Sequence, residues 1–379
     1  MPSPDRNTRL LARAIERAGA ILEIDLDAVV ANWRLLSDRL AHGARCAAVV
    51  KADAYGLGMD EVAPALARAG CKTFFVSSLD EGLALRSLLP RAQIAILNGL
   101  AMGAPAEFAK GGLLPVLNDL GEVREWHRYA QPRGGAPAML HLDTGLARLG
   151  MPAKELPQLA AEPALLHGFK LALILSHLAC ASEPAHPMNL AQLDLFRRAL
   201  RLLPRAPASL AASSGIFLGA DFHFDLVRAG AALYGVNPLP GRPNPMKQVL
   251  HLKAKILQVR DVDRGESVGY GAAHRMERPG RVATIAMGYA DGWLRSSSHR
   301  GAAVIAGKPA PVIGRISMDL ITLDVTGIDP AAVQPGAYVD LLNDRHGVDD
   351  VAFAAQTIGY EVLTALGRRC LRIYRGRTR

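Results

Sequence analysis

The sequence predicts an α/β protein in two parts, an N-terminal (β/α)8 barrel of the TIM type and a C-terminal, mostly-β domain. Three observations predict it. Eight short apolar runs alternate with helical patterns between residues 46 and 228. Next, Asn237-Pro238-Leu239-Pro240-Gly241-Arg242-Pro243-Asn244-Pro245 is too dense in proline to be helix or central strand, and reads as a linker. Beyond it the runs are strand-like and separated by turn chemistry. The expected domains are 1–236 and 245–379, with the strand at 21–26 able to join the second. A chain of 379 residues, half of them apolar, is long enough for both. A doubly wound open sheet fits less well, because no glycine-rich dinucleotide turn follows the first strand.

In chain order, residues 1–20 are a polar lead-in with helical character, and 21–26 alternates as a strand does. Asp27 can cap a helix through Val29, Trp33, Leu36 and Leu40. The barrel strands are expected at 46–50, 73–77, 93–97, 114–117, 139–143, 170–177, 209–213 and 226–228, with helices such as 119–129 and 189–203 in the gaps. After the linker come strands at 250–262, 281–287, 302–306, 311–313, 321–325 and 338–342, a helical stretch at 348–366, and a last strand at 371–374. There is no internal repeat.

The net charge of +9 comes mainly from arginine, scattered except in the tail Arg368-Arg369…Arg372…Arg375-Arg377-Arg379. With only 5% aromatic residues, this reads as a solvated surface that attracts anionic substrates or cofactors, and not as a nucleic-acid site. Cys46, Cys71, Cys180 and Cys370 lack metal-ligand spacing; Cys46 and Cys180, in or beside apolar runs, read as small buried thiols of a reducing compartment. The N-terminus has charges where a signal peptide needs an apolar core, and no apolar run reaches transmembrane length. A cytoplasmic protein without a membrane partner is expected.

The chemistry centres on Ala47-Ala48-Val49-Val50-Lys51-Ala52-Asp53-Ala54-Tyr55-Gly56-Leu57-Gly58. A lysine at the lip of a buried strand loses solvation, which lowers its pKa and frees its amine as a nucleophile or base. On this stretch alone Lys51 is either a Schiff-base lysine holding an aldehyde cofactor or a lysine snorkelling to solvent. Functional residues of a (β/α)8 barrel sit at the C-terminal strand ends. Applied here, that rule collects Lys51 on the first strand, His141, Asp143 and Arg148 at and after the fifth, and His177 on the sixth. It adds Ser213-Ser214 on the seventh and Arg228 with Gly230 on the eighth. A lysine, two arginines, histidines and small hydroxyls suit an anionic, phosphate-bearing organic cofactor. Singly, His177 is equally a core histidine and Ser213-Ser214 a helix cap. There is no Cys/His metal cluster, P-loop or Gly-x-Ser-x-Gly elbow.

Several motifs, in order over most of the chain, make it resemble the alanine racemases, pyridoxal-phosphate enzymes with a barrel and a C-terminal β domain. They are the Lys51 stretch above, Asp143-Thr144-Gly145-Leu146-Ala147-Arg148-Leu149-Gly150, Ser176-His177-Leu178-Ala179, and Val227-Arg228-Ala229-Gly230-Ala231-Ala232-Leu233-Tyr234-Gly235. They continue with Val268-Gly269-Tyr270-Gly271, Gly288-Tyr289-Ala290-Asp291-Gly292-Trp293, Gly314-Arg315-Ile316-Ser317-Met318-Asp319 and Ile358-Gly359-Tyr360-Glu361-Val362. The resemblance implies that Lys51 holds pyridoxal 5'-phosphate as a Schiff base and is one catalytic base. Tyr270, supplied by a second subunit of a homodimer, would be the base on the opposite face. Arg228 would hydrogen-bond the pyridine nitrogen, with His177 on or near the ring. Arg148 would reach the cofactor's phenolic oxygen and the substrate carboxylate. Tyr55, Ser214, Tyr360 and the backbone around Gly230 and Ile216 would hold the phosphate. Met318 and Tyr289 would bind substrate or narrow the entrance, with Asp319 supporting that wall.

Three positions depart from the family's pattern. His141 stands where a lysine, able to carry a carbamate that anchors the arginine, is usual; steering of Arg148 then falls to Asp143 or to a bound anion such as chloride. Ser213 replaces an asparagine and Ser317 a cysteine. The expected reaction is interconversion of L- and D-alanine. The competing expectations are a broader amino-acid racemase on the same fold, acting for example on serine, and a non-catalytic pyridoxal-phosphate-binding protein. The carriers of that second kind are single barrels, and the second domain here argues against it.

Overall fold

Four short segments, Thr73–Val76, Leu114–Leu117, Ala138–His141 and Leu226–Ala229, are buried at every position. That pattern belongs to parallel strands covered on both faces. This computed structural model describes residues 6–100 and 103–376. The first five residues of the N-terminal lead-in, and Arg377 and Arg379 of the basic tail, lie outside the described residues.

The chain divides into two compact units, each described by itself: Ala28–Lys247, and the residues up to Asp27 together with those from Gln248 onward. In the first, eight strands pair in parallel in the order Ala208–Ser209, Leu171–Leu175, Ala138–His141, Leu114–Leu117, Gln93–Ile96, Thr73–Val76, Arg45–Val49, Leu226–Ala229. A parallel bridge from Ala212 to Arg228, with the Arg228 N–H on Ala211 O at 2.9 Å, joins the two ends of that order. The sheet is the expected eight-stranded barrel. Helices cover it between strands, among them Met59–Arg68, Leu79–Leu88, Leu120–Ala130 capped by Asp119, and Met188–Leu200.

In the second unit the long strand Leu250–Val262 is the hub. Leu250, Leu252, Ala254 and Ile256 are its buried alternate positions. It pairs antiparallel with Ala20–Asp25, Gly280–Ile285 and Tyr338–Leu342, and Leu371–Arg375 lies parallel to Ala20–Asp25. The strand near 21–26 is therefore part of this sheet. Ala302–Ile305, Lys308–Pro311 and Ile321–Asp324 complete it.

Several local expectations need correction. The helix after the first strand is Leu26–Asp38, so Asp27 lies in its first turn and does not precede it, and Leu40 lies beyond its end. The seventh barrel strand shrinks to Ala208–Ser209, because beyond it the only sheet contact is the Ala212 bridge. The strand expected at 311–313 is Lys308–Pro311. The helical stretch 348–366 is two helices, Val348–Ala355 and Gly359–Ala365, parted where Gln356 takes a left-handed conformation (φ 57°). Cys46 is buried but Cys180 is only half-buried. No helix among the described residues is long and apolar enough to cross a membrane.

Candidate active site

Lys51 stands two residues past the end of strand Arg45–Val49 and opens a turn of uncommon handedness. Ala52, Asp53, Ala54 and Tyr55 have φ of 52°, 55°, 54° and 55°, one turn of left-handed helix made without a glycine. Such geometry costs roughly 1–2 kcal/mol per L-residue, so neighbours must hold it. The Glu81 carboxylate accepts from Ala52 N and from Ser77 N, each at 2.7 Å. Asp53 Oδ1 accepts from Met59 N at 2.8 Å. The Tyr55 ring packs on Tyr234 with centroids 4.8 Å apart, and the Tyr234 hydroxyl donates to Val49 O at 2.9 Å. The Lys51 ammonium is pushed below its ordinary pKa, first by burial and then by the positive Arg148, against an opposing pull from Glu81.

Arg228, on the last barrel strand, is 3% exposed. Its guanidinium donates to Ser176 O at 2.5 Å, Ser209 Oγ at 2.6 Å, Ser209 O at 3.1 Å, Leu210 O at 3.3 Å and His177 Nδ1 at 3.2 Å. All of these acceptors are neutral. Burial lowers its pKa to about 10, which still leaves it charged at neutral pH. Because Nδ1 of His177 accepts from Arg228, the neutral ring carries its proton on Nε2. The pKa of His177 is driven down to about 3, by burial first and then by Arg228, Arg148, His141 and Lys51. That electrostatic coupling joins the groups at four strand ends in one site.

His141 is buried, and its Nδ1 lies 2.8 Å from Asn118 Oδ1. The Asn118 amide nitrogen donates to Val116 O at 2.8 Å, so its oxygen is the end that faces the imidazole, and His141 carries its proton on Nδ1. Burial and Arg228 lower the His141 pKa to about 4, Asp143 opposing. Asp143 spends Oδ1 on the N–H groups of Gly145, Leu146 and Ala147, at 2.9, 3.0 and 3.1 Å. It therefore shapes the backbone that carries Arg148.

Ser213 Oγ accepts from Gly230 N at 3.0 Å and Ala232 N at 3.3 Å, and so ties together the two loops expected to meet a phosphate. The amides named for that role are both engaged within the protein, Gly230 with Ser213 and Ile216 with Ala212 O at 3.2 Å. A Cβ on Gly230 would stand 2.6 Å from the Tyr55 hydroxyl oxygen, so glycine there lets the tyrosine close over the loop. Ser214 opens the short helix Ser214–Leu218.

The second unit carries the remaining expected residues. Tyr270 is 72% exposed on a turn between the paired strands Ser267–Val268 and His274–Arg275. Glycines at 269 (φ 78°) and 314 (φ 72°) let that turn lie against the Gly314-Arg315 backbone. Tyr289 N donates to Ser317 O at 3.1 Å and Ala290 N to Met318 O at 2.9 Å, which fixes the Tyr289 turn beside Met318. Arg369 joins this wall through Asp319 at 2.7 Å and the buried Asp291 at 3.0 Å, and Asp291 in turn accepts from Gly288 N at 2.9 Å. Tyr289, Met318 and Tyr360 are all exposed within their unit.

Sequence reasoning missed the supporting residues. Glu81 was findable, since Ser78-x-x-Glu81 has the spacing of a capping box and Ser78 accepts from Glu81 N. Ser209 and Asn118 carry no such local signal, and Ser176 and Arg369 stand in the Ser176-His177-Leu178-Ala179 motif and the basic tail with nothing there to mark these roles.

The family model for the alanine racemase N-terminal domain matches residues 24–238, and that for the C-terminal domain matches 249–374. An alanine racemase of Rhodospirillum rubrum is 48% identical over 95% of this chain and 97% of its own length. A catabolic alanine racemase of Mesorhizobium japonicum is 47% identical over 95% of this chain and 94% of its own. Among solved structures, that of Bartonella henselae alanine racemase with covalently bound pyridoxal phosphate superposes with a TM-score of 0.91 at 43% identity. It covers 94% of this chain and 100% of that one. Both matched regions, and a half-buried lysine and a buried arginine at the strand ends of a parallel barrel, lead to one conclusion: the chain belongs to the alanine racemase family.

Proposed function

We propose that this protein interconverts L- and D-alanine with pyridoxal 5'-phosphate, using Lys51 and Tyr270 as opposed bases. The observation that carries the reading is the buried Arg228, a cation whose partners, His177 among them, are all neutral, at the strand ends of the barrel that also bears the desolvated amine of Lys51. A buried cation is costly unless something offsets it. The donor set therefore fits an organic anion with a ring acceptor, and the relative of known structure holds pyridoxal phosphate covalently.

When bound, pyridoxal phosphate supplies an aldehyde that condenses with amines and a ring that draws electrons from the substrate Cα. Lys51 would hold that aldehyde at rest. Its amine, held below its ordinary pKa by burial and by Arg148, would take or return the Cα proton on one face. Tyr270 of a second copy does the same on the other face; its high exposure within its own unit supports such a role. Arg228 would donate to the ring nitrogen and, because a guanidinium keeps its own proton, would not protonate it. The weaker electron sink would disfavour side reactions such as transamination and put the demand on the two bases. Neutral His177 would pack by the ring, and Arg148 would hold the phenolic oxygen and the substrate carboxylate. Tyr55, Ser214, Tyr360 and the amides of Gly230 and Ile216 receive the phosphate, which requires the two amides to share or exchange their present acceptors. Met318, Tyr289 and Asp319 form the substrate wall, braced by Arg369.

Borohydride reduction followed by peptide mapping should place the cofactor on Lys51; a label on another lysine defeats the site assignment. Tyr270→Phe should slow Cα proton exchange in both substrate directions, more strongly in one. Exchange untouched in both defeats the two-base reading. A coupled assay across L-amino acids should favour alanine, and equal rates with serine would select the broader racemase.

A further inference from the structure

We infer that Gln192 is a positioning residue for this reaction, holding the Arg148 loop and the His177 loop in one fixed arrangement. The inference rests on the roles proposed above for Arg148 and His177. Gln192 projects from helix Met188–Leu200 and is 1% exposed. Its Oε1 accepts from Ala179 N at 2.8 Å, which settles the direction of the amide. Nε2 then donates to His177 O at 2.9 Å and to Thr144 Oγ1 at 3.2 Å. The Thr144 hydroxyl also shares a hydrogen bond with Ser176 Oγ at 2.7 Å, in which either oxygen can donate. Ser176 also offers its carbonyl to Arg228. One side chain thus grips the backbone on both sides of Leu178, at His177 O and Ala179 N, and the start of the loop that bears Arg148.

A leucine at this helix position would bury comparable volume without burying an amide, so packing alone does not call for glutamine. Every polar atom of Gln192 is spent on the two site loops. The helix also lies close beneath one of them: a Cβ on Gly145 would come within 3.0 Å of Met188 Cε. The loop is also pinned within itself, by the Asp143 carboxylate at its start and by Met151 N on His141 O at 2.7 Å at its end. Thr144 links that loop to the neighbouring one by two side-chain bonds, one from Gln192 Nε2 and one with Ser176 Oγ.

Gln192→Glu tests this with almost no change in shape. The carboxylate still accepts from Ala179 but has no proton to give His177 O or Thr144. The KM for L-alanine should rise about tenfold, the scale of one net hydrogen bond's worth of misplacement, with a smaller change in kcat. Gln192→Met, uncharged, should repeat the effect and so separate the lost donor from the added charge. Thr144→Val should also repeat it, whereas Thr144→Ser should keep wild-type values. Independently of activity, amide hydrogen exchange should quicken across 144–151 and 177–179 in Gln192→Glu while the helix carrying residue 192 stays protected. In an Arg148→Ala background the KM effect should vanish. Wild-type KM and wild-type exchange in both Gln192→Glu and Thr144→Val would overturn the inference, as would a KM effect of full size in the Arg148→Ala background. A wild-type protein that does not racemise alanine would instead sink the proposed function, and the exchange measurement would still decide whether Gln192 holds the two loops.

Discussion

Acidification is the perturbation that tests the electrostatics of the site most directly. His141 and His177 have folded pKa values of about 4 and about 3, below the ordinary 6.5, because both rings, His141 buried and His177 half-buried, are desolvated among positive groups. Each is neutral in the folded chain and charges more readily once unfolded. Between 6.5 and the folded pKa the unfolded state therefore binds more protons, and stability drops as the pH is lowered through that window. The contribution is fully present above pH 6.5. It is lost on the way down to about 4 for His141 and about 3 for His177. At about 1.36 kcal/mol per pH unit and group, lowering the pH from 6.5 to 4.5 removes at most about 2.7 kcal/mol for each histidine, or about 5.4 together. Urea unfolding of the wild type and of His141→Gln/His177→Gln across this range isolates the term, since the variant keeps every carboxylate. Labelled-histidine NMR should show both rings neutral at pH 5.5. A ring that titrates near 6.5, or a wild-type stability curve parallel to that of the variant, would refute the argument from burial and positive surroundings.

Three further outcomes follow from the geometry. Gly288→Ala should be severe, at the upper end of the roughly 1–3 kcal/mol cost of overpacking, because the new Cβ would strike backbone, Met318 O and C and, at 2.5 Å, Asp319 N; thermal unfolding measures it. Gly230→Ala should cost less, on the order of 1 kcal/mol, since the clash is with the movable end of Tyr55, yet cofactor retention on dialysis should fall. Glu81→Gln should leave one of its N–H partners facing an amide NH2, costing about 1–3 kcal/mol, and should lower the Lys51 pKa further because Glu81 is the group that raises it. A reductive-labelling pH profile of Lys51 reads the second effect, and an unshifted profile counts against it.

The strands of the barrel were legible because their burial on both faces leaves continuous apolar runs. With the strands in hand, the strand-end rule collected Lys51, His141, Arg148, His177, Ser213 and Arg228 without any contact being known. The rule misjudged detail: Lys51, Asp143 and His177 each stand two residues past their strands. It also could not find Ser176 and Ser209 as the acceptors of Arg228, or Asn118 as the group that sets the His141 tautomer. Those residues are ordinary in sequence and become partners only through parallel pairing of distant strands.

The opening stretch shows the division most sharply. From the sequence alone come the buried strand, the lysine at its lip and a turn rich in glycine, because apolar runs and glycines act locally on the backbone. The left-handed turn over Ala52, Asp53, Ala54 and Tyr55 is a tertiary decision. None of those residues prefers φ near +55°, and the strain persists only because Glu81 and Tyr234, 29 and 179 residues from Ala52 and Tyr55, supply hydrogen bonds and packing that outweigh it.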